Sequence, residues 1–185
     1  MDNLAFQPSL QGGSLSRKYF TVRENTDCGL IRLQTFHRRA GQVDNVSAQL
    51  GLALPGPGAA LDSGDMQLFW SAPGEWVIVV PRGSERARLM ELQAKLDGLF
   101  AVLSVMTDSR VTLQLGGAQL RTVLARGSSV DFHPSAFTVG RCLSTRLAGV
   151  PVMLVVRPWE EYLLFADRSV AAYLLDWLQA ASRDC

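Results

Sequence analysis

The run "RCLSTRLAGVPVMLVVRPWEEYLLF", residues 141–165, constrains the fold more tightly than any other stretch of the chain. Ala148-Gly149 and the segment "RPWE" cut it into three apolar pieces, each of strand length. Consecutive strands joined by such short turns pair antiparallel, so the run predicts a three-stranded meander.

The remaining elements follow from periodicity and punctuation. A strand is expected at "CGLIRLQTF", where Leu30 stands beside the alternation Ile31, Leu33, Thr35. Val43, Val46 and Leu50 recur at helical spacing before Gly51, which reads as a C-cap, and "LPGPGAALDSGD" reads as a loop. "MQLFW" and "EWVIVVP" are strands around the turn "SAPG"; the second is apolar on both faces, as in an interior strand, and Trp70 and Trp76 are assigned to the core. Ser84 reads as an N-cap, Glu85 suits the positive helix end, and Leu89, Leu92, Leu96 and Leu99 form one stripe. "AVLSVM" and "RVTLQL" read as strands, the latter with Val111, Leu113 and Leu115 opposite Arg110, Thr112 and Gln114. "GGAQLRTVLARG" predicts a short helix ending at Gly127, and a last helix starts after Asp167, with Ser169 as a possible cap, and runs to about Ala181.

This order predicts an α+β fold of antiparallel sheets with packed helices, and it lacks the repeated βαβ crossovers of a dinucleotide fold. Residues 1–28 read as an extended or flexible tail and residues 29–185 as a single domain with room for two intertwined strand-and-helix halves. A chain of 185 residues that is 48% apolar and 19% charged buries a sizeable core without staples.

The net charge of +1 carries no clustered basic excess; Arg38-Arg39 and the arginines from Arg82 to Arg88 read as solvated surface, so a nucleic-acid partner is not expected. The opening residues contain no apolar run of signal-peptide or membrane-span length, and a cytoplasmic protein without a membrane partner is expected. Cys28, Cys142 and Cys185 are odd in number and form no CxxC pair, which speaks against a disulfide framework or a zinc knuckle. The glycines near residue 56 lack the GxxxxGK[ST] spacing of a phosphate loop.

"SSVDFHPSAFTVGRC" places His133 nine residues before Cys142, with Asp131 beside it. A nucleophile and base need mutual reach, an orienting group and oxyanion donors, and no GxSxG or cysteine-hydrolase signature surrounds them. The sequence therefore assigns no catalytic, cofactor-binding or metal residue: Cys142 is read as a buried strand-start residue, His133 as bonded within a loop, and His37 as a strand-end surface residue. The last helix is more informative. At 100° per residue its apolar arc, with Val170, Ala171, Tyr173, Leu174, Leu175, Trp177, Leu178 and Ala181, covers about 200°, against about 100° for an ordinary surface helix. Burial between two layers and docking on a partner both explain it. On the docking reading the candidate interface is Trp159, Tyr173, Leu174, Trp177 and Leu178, with Trp159 at the hairpin tip as a second anchor.

The succession of "SAPGEWVIVVP", "TDSRVTLQLGGAQLRTVLARGSSVDFHPSAFTVGRCLSTRLAGVPVMLVV" and "YLLFADRSVAAYLLDWL" resembles the gamma subunit family of heterotetrameric sarcosine oxidase, from about Trp70 to Trp177. "DFHP", "GRC" and "TRLAGVPV" are its most specific portions. That family is in turn similar to the folate-binding aminomethyltransferase of the glycine cleavage system, which is built from related α+β halves. The resemblance implies a noncatalytic structural subunit beside alpha, beta and delta subunits. The complex it implies demethylates sarcosine oxidatively to glycine, makes hydrogen peroxide and passes the one-carbon unit to tetrahydrofolate. FAD, FMN and NAD are implied on the alpha and beta subunits and zinc on delta, with no cofactor on this chain. The alternative reading is a small folate-binding protein or aminomethyltransferase-like enzyme.

Overall fold

The computed structural model describes residues 14–35 and 41–184. Along them run strands β1 (Leu15–Ser16), β2 (Thr21–Glu24), β3 (Cys28–Thr35), β4 (Ala60–Ser63), β5 (Met66–Ala72), β6 (Glu75–Pro81), β7 (Ala101–Val105), β8 (Arg110–Gly116), β9 (Cys142–Leu147), β10 (Val150–Arg157) and β11 (Glu161–Asp167). The helices are α1 (Gln42–Leu50), α2 (Glu85–Lys95), α3 (Leu120–Ala125) and α4 (Ala171–Ala181).

The expected meander is β9, β10 and β11. Leu147 pairs with Val150 around Ala148-Gly149, and Arg157 pairs with Glu161 around Pro158-Trp159-Glu160. The strands group into two antiparallel sheets, ordered β1-β2-β8-β11-β10-β9 and β4-β5-β6-β3-β7. Alternation along each strand then fixes three apolar layers. Val152, Leu154 and Val156 face α3 and α4, burying Leu120, Val123, Leu124, Leu174 and Leu178. Ile31, Leu33, Trp76, Ile78 and Val80 face α1 and α2, burying Val46, Leu50, Leu92 and Leu96. Leu30, Phe69, Val77 and Val79 of one sheet meet Met153, Val155, Leu163 and Phe165 of the other. The sheets thus lie between two pairs of helices. This is why "VMLVV" and "WVIVV" are apolar at every position: both faces of their strands are covered.

The two halves of the chain repeat one plan. β3-α1-β4-β5-β6-α2 builds the sheet order β4-β5-β6-β3, and β8-α3-β9-β10-β11-α4 builds β9-β10-β11-β8. A fifth strand then flanks each: β7 beside β3, and β2 beside β8. The first half continues directly from α2 into β7, whereas the second half takes its fifth strand from the other end of the chain.

That placement corrects the expected tail in its described part. Phe20 is fully buried and Val22 nearly so, and Thr21–Glu24 pairs with β8, because without it β8 would be an open edge. The chain changes sheets between β7 and β8 through the single-turn segment Thr107–Ser109. Thr107 locks it there: Leu30 N–H donates to Thr107 Oγ1 at 2.9 Å, and that hydroxyl lies 3.2 Å from Glu85 Oε1. Glu85 reaches this position because residue 29 is glycine; a Cβ there would stand 2.2 Å from Glu85 Cγ. Glu85 is therefore a buried tie as well as a helix-end charge.

Other local expectations are adjusted. The segment read as a loop contains β4, paired with β5. Ser84 precedes α2, yet its hydroxyl donates to Pro81 O at 2.6 Å and does not cap the helix. Ser169 lies in the 3-10 turn Arg168–Val170, and Val170 takes the N-cap position of α4. Thr112, expected on a polar face, is buried because that face of β8 looks toward the second sheet. Trp76 is buried with its indole N–H on Pro55 O at 2.8 Å, while Trp70 is half-buried. Among the described residues no helix is long and apolar enough to cross a membrane.

Candidate functional site

His133 and Cys142 are held apart by separate partners. Asp131 Oδ1 accepts from His133 N–H at 2.8 Å, and the exposed imidazole Nδ1 lies 2.7 Å from Ser135 Oγ. On either side of His133 the chain turns inward: Phe132 and Phe137 are buried, and Phe137 stands edge-on to the Tyr162 ring at 5.6 Å. Arg121 Nη1 donates to the carbonyls of both phenylalanines, at 2.6 and 3.2 Å. Two aromatic plugs and one arginine thus pin the segment to the core and leave His133 facing out.

Cys142 opens β9 on the inner face, with Sγ 3.0 Å from Ala59 O and 3.2 Å from Trp70 O. Burial pushes its thiol up to about 11, so it is protonated at neutral pH and is a poor nucleophile. Its backbone N–H donates to Gly58 O at 3.0 Å, and Ala60 N–H donates to Gly140 O at 2.8 Å. "GRC" is therefore a stitch between the outer strand of one sheet and the segment entering the outer strand of the other. Among the described residues no group of three or more His, Cys, Asp or Glu is placed to hold a metal ion. His37, Arg38-Arg39 and Cys185 lie outside the described residues.

The five candidate interface residues have different surroundings. Leu174 and Leu178 are fully buried in the core that α4 shares with the first sheet, so they support the surface from beneath and are not themselves accessible. The broad arc of α4 exists because the helix covers strands on one side and the ends of α3 and the β9–β10 turn on the other. Trp177 is half-buried over Gly127, where a Cβ would stand 2.4 Å from its ring. Tyr173 is half exposed and its hydroxyl donates to Ala148 O at 2.8 Å.

Trp159 is 92% exposed. Its φ is 64° and that of Glu160 is 54°, a left-handed backbone that glycine or asparagine adopts at lower cost. A large aromatic side chain is thus held in solvent on an unfavourable backbone, and nothing within the chain is gained from its area. The sequence reading missed a second exposed set: Phe100 just before β7, and Val102 and Val105 along it, at the outer strand of the second sheet. The alternation in "AVLSVM" marks a strand, but which strand lies at a sheet edge is decided by distant pairing.

A family model described as "Sarcosine oxidase, gamma subunit family" matches residues 40–184. The sarcosine oxidase subunit gamma of an Arthrobacter species is 36% identical over 112 residues, which cover 59% of this chain and 54% of the relative. The match thus spans about half the length of that relative. Among solved structures, a chain of the heterotetrameric sarcosine oxidase from Corynebacterium sp. U-96 in complex with pyrrole 2-carboxylate superposes with a TM-score of 0.81 at 22% identity, covering 95% of this chain and 94% of that one. Aminomethyltransferase T of the glycine cleavage system from Bartonella henselae superposes with a TM-score of 0.67 at 18% identity, covering 90% of this chain and 47% of that one. The α+β architecture of two strand-and-helix halves is common to these folds. With the family model matched over well more than half of its length, the chain belongs to the sarcosine oxidase gamma subunit family.

Proposed function

We propose that this chain is a noncatalytic structural subunit of a heterotetrameric sarcosine oxidase, assembled with alpha, beta and delta subunits. The observation that carries the reading is the family match over residues 40–184. The chain's own chemistry agrees with it: the Cys142 thiol is tied to backbone carbonyls and His133 to Ser135. In this reading FAD, FMN and NAD belong to the alpha and beta subunits and zinc to delta. Those chains carry the oxidation of sarcosine to glycine, the formation of hydrogen peroxide and the delivery of the one-carbon unit to tetrahydrofolate. Trp159 at the β10–β11 tip and Tyr173 on α4, whose hydroxyl meets the β9–β10 turn at the opposite end of β10, are the contact residues, with Leu174 and Leu178 holding α4 in place. An exposed tryptophan fits a partner pocket, since such anchors dominate interface energies.

Co-expression with candidate large subunits tests the assignment. The expected result is a stoichiometric complex carrying flavin, recovered through a tag on this chain. Purification of this chain as a lone monomer, with the flavin-bearing subunits assembling fully without it, overturns the reading.

A further inference from the structure

The two sheets touch along Leu30, Val77, Met153 and Phe165, and beyond that contact they part into a cleft of about 370 Å³. Its floor is apolar, with Leu30, Met106, Met153 and Phe165, and its rim carries Arg32, Arg110 and Glu75. The volume falls in the range of small-molecule sites, which pair an apolar body with a few polar groups.

The charges on the rim are not equally engaged. Arg110 pairs with Asp167 at 3.1 Å, and Glu75 accepts from Gln34 Nε2 at 2.7 Å. Arg32 has no hydrogen-bond or ion-pair partner among the described residues. The chain's internal repeat sharpens that contrast. β3 and β8 occupy equivalent places, with burial alternating alike along both, and the position matching Arg32 is Gln114. Gln114 donates to Glu161 at 2.7 Å and accepts from Arg23. One half thus closes this position with its own side chains; the other leaves a guanidinium without a partner among the described residues, at the mouth of a cleft with an apolar floor.

We propose that the cleft binds a small carboxylate with an apolar body, the carboxylate on Arg32 and the body against Met106, Met153 and Phe165. A guanidinium grips a carboxylate through two parallel N–H donors, a geometry neither a neutral amide ligand nor a glutamine side chain reproduces. This inference does not depend on the subunit assignment.

Titration of the full chain with 1-naphthoate, followed by naphthalene fluorescence, tests it, with 1-naphthamide as the neutral counterpart. Naphthoate is expected to bind at least about tenfold more tightly than the amide, and Arg32→Gln to remove that advantage. A Ser144→Trp variant serves as a second probe, because Ser144 is exposed and lines the rim. It should block both ligands while the melting temperature stays near that of the parent. Equal affinity for acid and amide overturns the proposal. So does undiminished naphthoate binding in either variant once folding is verified.

Discussion

The inner face of α4 and the tip of the β10–β11 hairpin look alike in sequence, since both offer large apolar side chains near the end of the chain. Leu174 and Leu178 are fully buried, whereas Trp159 is 92% exposed. The helix face is spent on its own fold, and each of its leucines contributes about 1.5–3 kcal/mol by leaving water. Trp159 contributes no such burial, and its left-handed backbone costs on the order of 1–3 kcal/mol. The difference separates stability from association: an apolar side chain that its own chain covers reports on folding, and one held out at a cost is where the proposed assembly places a partner.

The largest expected effect tests the buried side of that comparison. Leu178→Asp places an unpaired carboxylate in the core beneath the first sheet, with an expected loss of about 4 kcal/mol or more. Chemical denaturation of the full chain should show either a collapsed midpoint or no folded baseline. A variant that unfolds like the parent yet fails to assemble would move Leu178 to the interface and break the comparison.

The sequence carried much of the fold, and its failures have definite causes. The meander was readable because both turns are short and local. The terminal helix was readable, but its partner was not: a 200° arc says how much surface must be covered and not by what. The internal repeat left one trace. β6 "EWVIVVP" and β11 "EYLLFAD" both open with glutamate and an aromatic residue, and both are buried over the same five consecutive positions. The trace is faint because the equivalent of β7 is supplied by β2, from before the repeat, which also made residues 14–28 look like a tail. Arg32 was passed over for the same kind of reason. Alternation along β3 puts it on the face of Leu30, but only the packing of the second sheet reveals that this face opens into a cleft.

A smaller effect belongs to Cys142, also on the buried side. Cys142→Ser keeps a donor for the carbonyls of Ala59 and Trp70 and should cost about 1 kcal/mol, with sarcosine turnover of the proposed complex unchanged. The pH dependence gives a sharper signature. The thiol's ordinary value is 9.0, and burial raises it to about 11 in the folded chain. Its contribution to stability is therefore complete below pH 9.0 and is lost as pH rises through about 11. Denaturation midpoints of parent and serine variant should run parallel at neutral pH, and the parent should fall more steeply above pH 9.0. Parallel curves throughout that range would show that the thiol is not desolvated.

The smallest effect on the chain alone, and the one most diagnostic of association, is at Trp159. Trp159→Gly relieves the left-handed backbone and loses no intramolecular burial. Glycine's extra freedom in the unfolded chain offsets part of that relief, so the melting temperature should change by an amount equivalent to at most about 1 kcal/mol. Assembly should respond differently. Removing a central aromatic anchor costs on the order of 2 kcal/mol or more, about thirtyfold in affinity, and the flavin recovered through a tag on this chain should fall accordingly. A Trp159→Gly chain that recovers flavin as well as the parent would mean that the hairpin tip stays in solvent within the complex. The exposed Phe100 and Val102, at the start of β7, would then be the surface to test next.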